Sequence, residues 1–163
     1  MAEPIDIWLF LELLPFSQEV GATAWFPFVE SIHVLSIVLM LGAILMVDLR
    51  ILGLSAMPYS AAQLLREFVP WSAVGFVIAS VTGVIMFMTR AATHIENPAF
   101  QIKLLLLLLG GINIVCFHFR EKALLAHDSV AVDIPISAKI HAALSLSIWI
   151  GVMVAGRWVG HVV

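Results

Sequence analysis

The stretch that decides the fold is SIHVLSIVLMLGAILMV, residues 31–47, which lies between Glu30 and Asp48. His33 is its only ionisable side chain. A run of this length approaches the roughly 20 apolar residues that cross a bilayer as a helix. An ionisable group at membrane depth is costly in free energy, so it indicates a functional site by default. The stretch therefore predicts a membrane helix that carries a functional histidine.

The composition of the whole chain indicates the same class of protein. Of its 163 residues, 62% are hydrophobic and 12% are charged, and the mean hydropathy is +1.08. Soluble domains have about 45–50% apolar and about 25% charged residues. We therefore expect a single integral membrane domain, residues 1–163, with the lipid bilayer as its partner. A net charge of −3 without a basic patch excludes nucleic acid as a ligand.

Four apolar runs are long enough, or nearly so, to span a membrane. Residues that favour loops, such as Gly53 and Asn97-Pro98, separate these runs. Ahead of them, residues 5–16 predict a short helix in the membrane interface, which Pro15 ends. The predicted fold is all-α, a membrane-embedded antiparallel four-helix bundle with a short N-terminal interfacial helix. The spans are predicted at about residues 26–49, 69–89, 101–119 and 139–161.

The distribution of lysine and arginine predicts the orientation of the bundle, since cytoplasmic loops carry an excess of these residues. With both termini outside, the inner side holds Arg50, Arg66, Arg120, Lys122 and Lys139. The outer side then holds Arg90, Lys103 and Arg157. The predicted location is the bacterial inner membrane with both termini on its outer side.

Helical rise sorts the ionisable residues of the spans into two layers. At about 1.5 Å per residue, three of them lie roughly 22–25 Å from the predicted inner ends, on three different spans. We call these the His33 layer, which is predicted to be outer: His33, Lys103 and Arg157. The predicted inner ends carry what we call the Asp48 layer: Asp48, Arg50, His118 and His141. Asp48 and Arg50 are expected to pair with headgroups at the membrane surface.

Each layer suggests particular ligands. A neutral imidazole is the commonest metal ligand and a usual axial ligand of haem, so His33, His118 and His141 are the candidate metal ligands. Depth excludes His33 and His118 as ligands of one ion, whereas His118 and His141 can meet. Lys103 and Arg157 fit the carboxylates of haem. Copper prefers clustered His, Met and Cys, and Met40 lies too deep to share an ion with His33. A quinone needs only a His or Trp donor and an apolar slot.

Structural interpretations stand beside these functional ones. His33 can be hydrogen-bonded to Ser36 or Ser145 and merely join two helices. Lys103 and Arg157 can extend their charged groups to the membrane surface. His118 and His141 can face headgroups, and His94 is expected to be interfacial.

Four stretches of the chain, residues 31–54, 68–87, 97–119 and 141–161, together carry a family resemblance. They resemble a family of small uncharacterised bacterial proteins with four spans. More remotely, they are similar to the membrane domain of copper-resistance protein D and to the haem-b-containing, oxygen-independent protoporphyrinogen oxidase of bacteria. The resemblance to that oxidase implies a functional pair at His33 and Lys103, and Phe117-His118 resembles its Tyr-His pair. The spacing of Lys103 and His118 differs, and an Arg-Arg and Asn-Glu-Pro ending is absent, so that activity is not carried over.

The leading hypothesis from sequence is a haem-b-binding membrane protein for electron transfer or membrane oxidoreduction. His33 would be its axial ligand, and Lys103 or Arg157 would be a second ligand or a propionate partner. His118 and His141 would form a second haem site or a quinone site. The alternatives are a copper transport or handling protein, and a non-catalytic accessory subunit of a membrane complex. Whether the protein is an enzyme, and whether a redox protein, further subunits or a second copy bind it, stays open.

Overall fold

The computed structural model describes residues 6–55, 58–121 and 134–161. Within these ranges the chain forms helices and no strand. The short helices are α1 (Ile7–Glu12), α2 (Pro15–Ala22) and α5 (Ala91–Glu96). The long helices are α3 (Trp25–Ile51), α4 (Ala61–Met88), α6 (Pro98–Arg120) and α7 (Ile136–Trp158).

The four long helices are apolar and long enough to span a membrane. They confirm the predicted all-α membrane bundle and define a multi-pass membrane protein. The main difference from the predicted bounds is that α4 begins at Ala61 rather than near residue 69. Ser60 and Gln63 form a capping box there, in which each side chain accepts a hydrogen bond from the other's backbone N–H. Pro70 lies inside α4 without ending it, which membrane helices tolerate.

Helices α3 and α4 form an antiparallel hairpin. Along α3, His33 contacts Gly83 of α4, Met40 contacts Gly75, and Ile51 packs with Leu64. Residues later in α3 therefore contact residues earlier in α4, as antiparallel helices do. Gly75 permits the closest approach, because a Cβ there would lie 2.8 Å from the carbonyl oxygen of Ser36. Gly75 and Gly83 lie eight residues apart on the same face of α4, and small residues on a shared face allow the backbones of membrane helices to approach.

Helices α6 and α7 form a second antiparallel hairpin. Gly110 packs against Trp149, and Leu106 packs against Gly151. Asn97 caps the start of α6 through its side-chain oxygen, and its Nδ2 donates to the carbonyl oxygen of Val159 at 3.0 Å. This bond ties the first turn of α6 to the end of α7.

The two hairpins meet along α3 and α7. A buried cluster of Met40, Trp149 and Val152 forms the centre of that contact. Over their described lengths, α4 and α6 share almost no direct contacts. The bundle therefore has a cleft whose walls are α4 and α6 and whose floor is α3 and α7.

The N-terminal segment packs on one end of the bundle. Helix α1 ends at Glu12, before the predicted end at Pro15, and Pro15 instead starts α2, which the sequence analysis did not predict. Trp8 contacts Phe87 of α4 edge-to-face with ring centroids 5.9 Å apart. The carboxylate of Glu12 accepts a hydrogen bond from the backbone N–H of Ala92 at 3.1 Å, in the first turn of α5. The segment is thus attached to the end of α4 and to α5.

Two candidate polar sites

His33 lies half-buried on α3, on the face that also carries Ser36 and Met40. Its Nδ1 lies 2.9 Å from the hydroxyl oxygen of Thr82 on α4. The hydroxyl of Thr82 donates its proton to the carbonyl oxygen of Ile78 at 2.7 Å. Because that proton is committed, the hydroxyl accepts from His33, so Nδ1 carries the hydrogen. The Nε2 atom of neutral His33 then keeps its electron pair.

The partner of His33 differs from the two serines suggested by the sequence. Ser36 donates to the carbonyl oxygen of Ile32 in its own helix, at 2.7 Å. Ser145 lies on the buried face of α7, close to Asp48. The prediction of Ser36 or Ser145 as partner was therefore wrong. Thr82 takes that place because it lies next to Gly83, which the ring of His33 contacts.

Gly83 provides the space for the imidazole of His33. A Cβ at this position would lie 3.2 Å from Cε1 of His33, which is tighter than an ordinary contact. The ring therefore lies directly on the α4 backbone at Gly83, and the bond to the neighbouring Thr82 fixes its position there.

Lys103 is half-buried on α6, at helical spacing from Gly110 on the face that packs on α7. Its side chain lies over Gly156, where a Cβ would be 3.8 Å from Nζ. Lys103 is close enough to His33 to interact with it electrostatically. Among the described residues, no carboxylate forms an ion pair with Lys103. A cation is thus held beside His33 without an acidic partner in residues 6–55, 58–121 and 134–161.

Arg157, the third member of the predicted His33 layer, is exposed near the end of α7. The buried face of α7 passes through Ser145, Trp149, Val152 and Ala155. Arg157 follows Ala155 by two residues, about 200° around the helix, so it points away from that face. The structure brings Lys103 to His33 and leaves Arg157 at the surface.

His94, which the sequence predicts to be interfacial, is half-buried in the protein and lies near Lys103. Its ring lies against Phe87 and Phe100, whose own rings stack with centroids 5.1 Å apart. Its buried Nδ1 has no hydrogen-bond partner among the described residues. Burial, and then the positive charge of Arg90, lower the pKa of His94 below its ordinary value of 6.5. His94 therefore favours the neutral form.

In the second layer, Asp48 is buried, with 7% of its surface exposed. Its carboxyl lies close to Ser145 of α7, and its Oδ2 has no hydrogen-bond partner among the described residues. The expectation that Asp48 pairs with headgroups was wrong, because Asp48 lies three residues before Ile51 on the buried face of α3. Arg50 instead donates from Nε to the carbonyl oxygen of Tyr59 at 2.8 Å.

His141 is held by Asn113 through two hydrogen bonds. The Nδ2 atom of Asn113 donates to the carbonyl oxygen of His141 at 3.0 Å, which fixes the orientation of the amide. The Oδ1 atom of Asn113 then accepts from Nδ1 of His141 at 2.7 Å. As in His33, the imidazole carries its hydrogen on Nδ1 and keeps the electron pair on Nε2.

A cavity of about 300 Å³ lies in the Asp48 layer, within the cleft between the two hairpins. All four long helices contribute to its lining, which is mainly apolar. Asp48, His141 and the exposed His118 border the same cavity, so the two histidines expected to meet do lie around one space. Phe68, Phe117 and Trp149 supply its aromatic lining.

The described residues contain no group of three or more His, Cys, Asp or Glu side chains that could hold a metal ion. Met40 packs in the α3–α7 core with Trp149 and Val152, and Cys116 is exposed.

The fold and the two polar layers define a multi-pass, all-α membrane protein with ionisable groups inside its bundle. Residues 10–162 match the model of DUF6644, a family of unknown function, and the chain belongs to that family. No curated protein and no solved structure matches the chain. The remote similarities to copper-resistance protein D and to protoporphyrinogen oxidase therefore stay predictions.

Proposed function

We propose that this protein is a membrane electron-transfer protein that binds haem b at the His33 layer, with Nε2 of His33 as the axial donor. The observation that carries the proposal is the hydrogen bond from Nδ1 of His33 to Thr82. Metal-ligating histidines almost always donate their other ring N–H to a neighbouring group, which fixes the tautomer and the ring orientation. When bound, haem b supplies reversible one-electron transfer at its iron.

Lys103 supports the choice of ligand because of its charge. Haem b carries two propionates, and a charge-assisted hydrogen bond from an ammonium to a carboxylate is stronger than a neutral one. Lys103 presents that ammonium beside His33, with no acidic partner among the described residues. In its neutral form, the same amine would be a nitrogen donor for the iron. Either role makes the pair of His33 and Lys103 the expected centre of the haem site.

The charge of each layer favours His33 over His141 for this role. Both histidines keep an electron pair on Nε2, so the tautomer alone does not separate them. The cavity beside His141 is lined by Arg66 as well as by Asp48, and its buried ionisable group is the carboxyl of Asp48, which disfavours a ligand that carries carboxylates. The His33 layer has a cation instead. In the bacterial inner membrane, with both termini on the outer side as the sequence predicts, this site would face outward. Lys122, which contributes to that prediction of orientation, lies outside the described residues.

Spectra of the purified protein test the proposal. We expect protein expressed with added haem and purified in mild detergent to show a Soret band, with α and β bands on reduction. His33→Ala should lose that absorbance, because it removes the proposed axial donor Nε2. His161→Ala is the matched control, since His161 is exposed beyond the end of α7.

Two outcomes would contradict the proposal. A colourless protein that folds normally would remove haem, and metal analysis of the same sample would then report whether copper is bound. A full haem content in His33→Ala would remove His33 as the ligand. Retention of stability and of partner binding in that colourless variant would favour the accessory-subunit alternative.

A further inference from the structure

We propose that the cavity of the Asp48 layer binds a lipid-soluble hydroquinone, with Asp48 and His141 accepting hydrogen bonds from its two hydroxyl groups. The proposal goes beyond the haem site and does not rest on it. His33 and Lys103 lie near the starts of α3 and α6, whereas the cavity lies toward the ends of these two helices.

Two hydrogen-bond acceptors border one apolar cavity. Oδ2 of Asp48 has no donor among the described residues, although the residue is buried, with 7% of its surface exposed. Nε2 of His141 keeps its electron pair because Nδ1 donates to Asn113. Both residues border the same cavity. A buried acceptor without a donor is unfavourable, so the complement of this cavity is a ligand with two hydrogen-bond donors.

The size and the aromatic lining of the cavity indicate what kind of ligand it can hold. Its volume of about 300 Å³ is at the lower end of small-molecule sites, which run from about 300 to 1,000 Å³. Such a space fits a substituted six-membered ring rather than a long chain. Phe68, Phe117 and Trp149 border it, and aromatic rings pack well on a flat ring.

The cavity can be reached from the side, between α4 and α6. Its walls are residues of α4 and α6, and these helices share almost no direct contacts along their described lengths. Large apolar side chains on both helices are exposed, including Val69 and Ile114, which border the cavity itself. The cleft therefore opens sideways toward the lipid, so that the tail of a lipid-soluble ligand can leave between α4 and α6. This geometry selects a ligand that arrives from the bilayer.

Calorimetry on the purified full-length protein, in detergent and without oxygen, tests the proposal. The probes are a hydroquinone with a short alkyl tail and its dimethyl ether, which has the same ring and tail but no hydroxyl donors. We expect the hydroquinone to bind at least tenfold more tightly than the ether. Equal affinities for the hydroquinone and its ether would overturn the proposal. This comparison uses the unaltered protein and needs no variant.

Asp48→Asn sharpens the test because it replaces the acceptor Oδ2 with an N–H₂ donor of nearly the same shape. We expect at least tenfold weaker binding of the hydroquinone, and unchanged or tighter binding of the corresponding quinone, whose oxygens are acceptors. Ser147→Ala is the matched control, since Ser147 is exposed on α7 and bonds only its own helix, at Ala143.

The haem spectrum of each sample keeps the two proposals distinguishable. Loss of hydroquinone preference with an intact Soret band would count only against the cavity proposal. A colourless protein that still prefers hydroquinone to the ether would support the cavity proposal and count only against the haem. Unchanged hydroquinone affinity in Asp48→Asn would overturn the role of Asp48.

Discussion

The His33 layer and the Asp48 layer use the same arrangement of a histidine and differ in the charged group beside it. In each, the Nδ1 of a histidine donates to a side chain on the partner helix of its hairpin, Thr82 or Asn113. The half-buried ionisable group near His33 is Lys103, and the buried one in the cavity of the second layer is Asp48, although Glu30 also acts on His33 and Arg66 also lines the cavity. One imidazole geometry is thus combined with a basic group in one layer and an acidic group in the other, which under our two proposals favour an acidic ligand and a hydrogen-bond donor, respectively.

The comparison also shows how the two hairpins complete each other. The hairpin of α3 and α4 holds His33, and the other hairpin supplies Lys103. The hairpin of α6 and α7 holds His141, and the first hairpin supplies Asp48. Each site therefore needs both hairpins, and the contact between α3 and α7 positions both charged groups.

The largest expected effect comes from weakening that shared contact. Met40→Ala removes a side chain with 4% exposure from the cluster with Trp149 and Val152. Truncating a buried Met costs about 2–5 kcal/mol of unfolding free energy. We expect haem content and hydroquinone binding to fall together, with stability followed by denaturation in detergent.

Met153→Ala is the control for this variant, because Met153 is exposed on α7. If Met40→Ala were to lose only one of the two ligands, the hairpins would not be completing both sites through this contact.

A smaller and selective effect is expected from Thr82→Val, which keeps the shape of the side chain but removes the hydroxyl acceptor. Nδ1 of His33 then loses its partner on α4, and changes of this kind typically lower metal affinity by about 10–100-fold. We expect weaker haem retention with unchanged hydroquinone binding.

Thr89→Val provides the comparison, since the hydroxyl of Thr89 bonds only its own helix, at Met86. Equal haem retention in Thr82→Val and the unaltered protein would mean that the hydrogen bond to Thr82 does not prepare His33 as a ligand.

The smallest expected effect concerns pH and lies beside the His33 layer, at His94. Burial and Arg90 lower its pKa in the folded state, as Lys103 also does, whereas Glu12 acts in the opposite direction. The unfolded chain therefore binds a proton more readily than the folded one, so stability falls as pH decreases through about 6.5. We expect the midpoint of thermal unfolding to decrease below that pH, and His94→Gln to lose this part of the decrease. Parallel decreases in both proteins would exclude His94 as the cause.

The sequence predicted the depth of the ionisable residues better than their direction around each helix. Lys103 lies beside His33 as its depth suggested, and a count of residues from Gly110 also places it on the buried face of α6. Arg157 has nearly the same depth but lies about 200° from Ala155, so it is exposed. A depth calculated from the helical rise alone does not tell which way a side chain points around the helix.

Other features of the two sites depend on contacts that the sequence does not display. Thr82 and Asn113 are bonded to their histidines only because particular turns of the paired helices lie opposite each other. Asp48 was assigned to the surface because it ends an apolar run, although its helical spacing to Ile51 indicated burial. Helix α5 was missed because it is short and follows directly on the end of α4.

The claim that the two layers are separate sites is tested most directly with His33→Ala and Asp48→Asn. Haem content and hydroquinone binding are both measured on the same preparation of each variant. The account predicts that His33→Ala loses haem and still prefers the hydroquinone to its dimethyl ether. It predicts that Asp48→Asn keeps its Soret band and loses that preference. If both variants lost both ligands while remaining folded, the two layers would be one site, and the account of two sites with opposite charges would be contradicted.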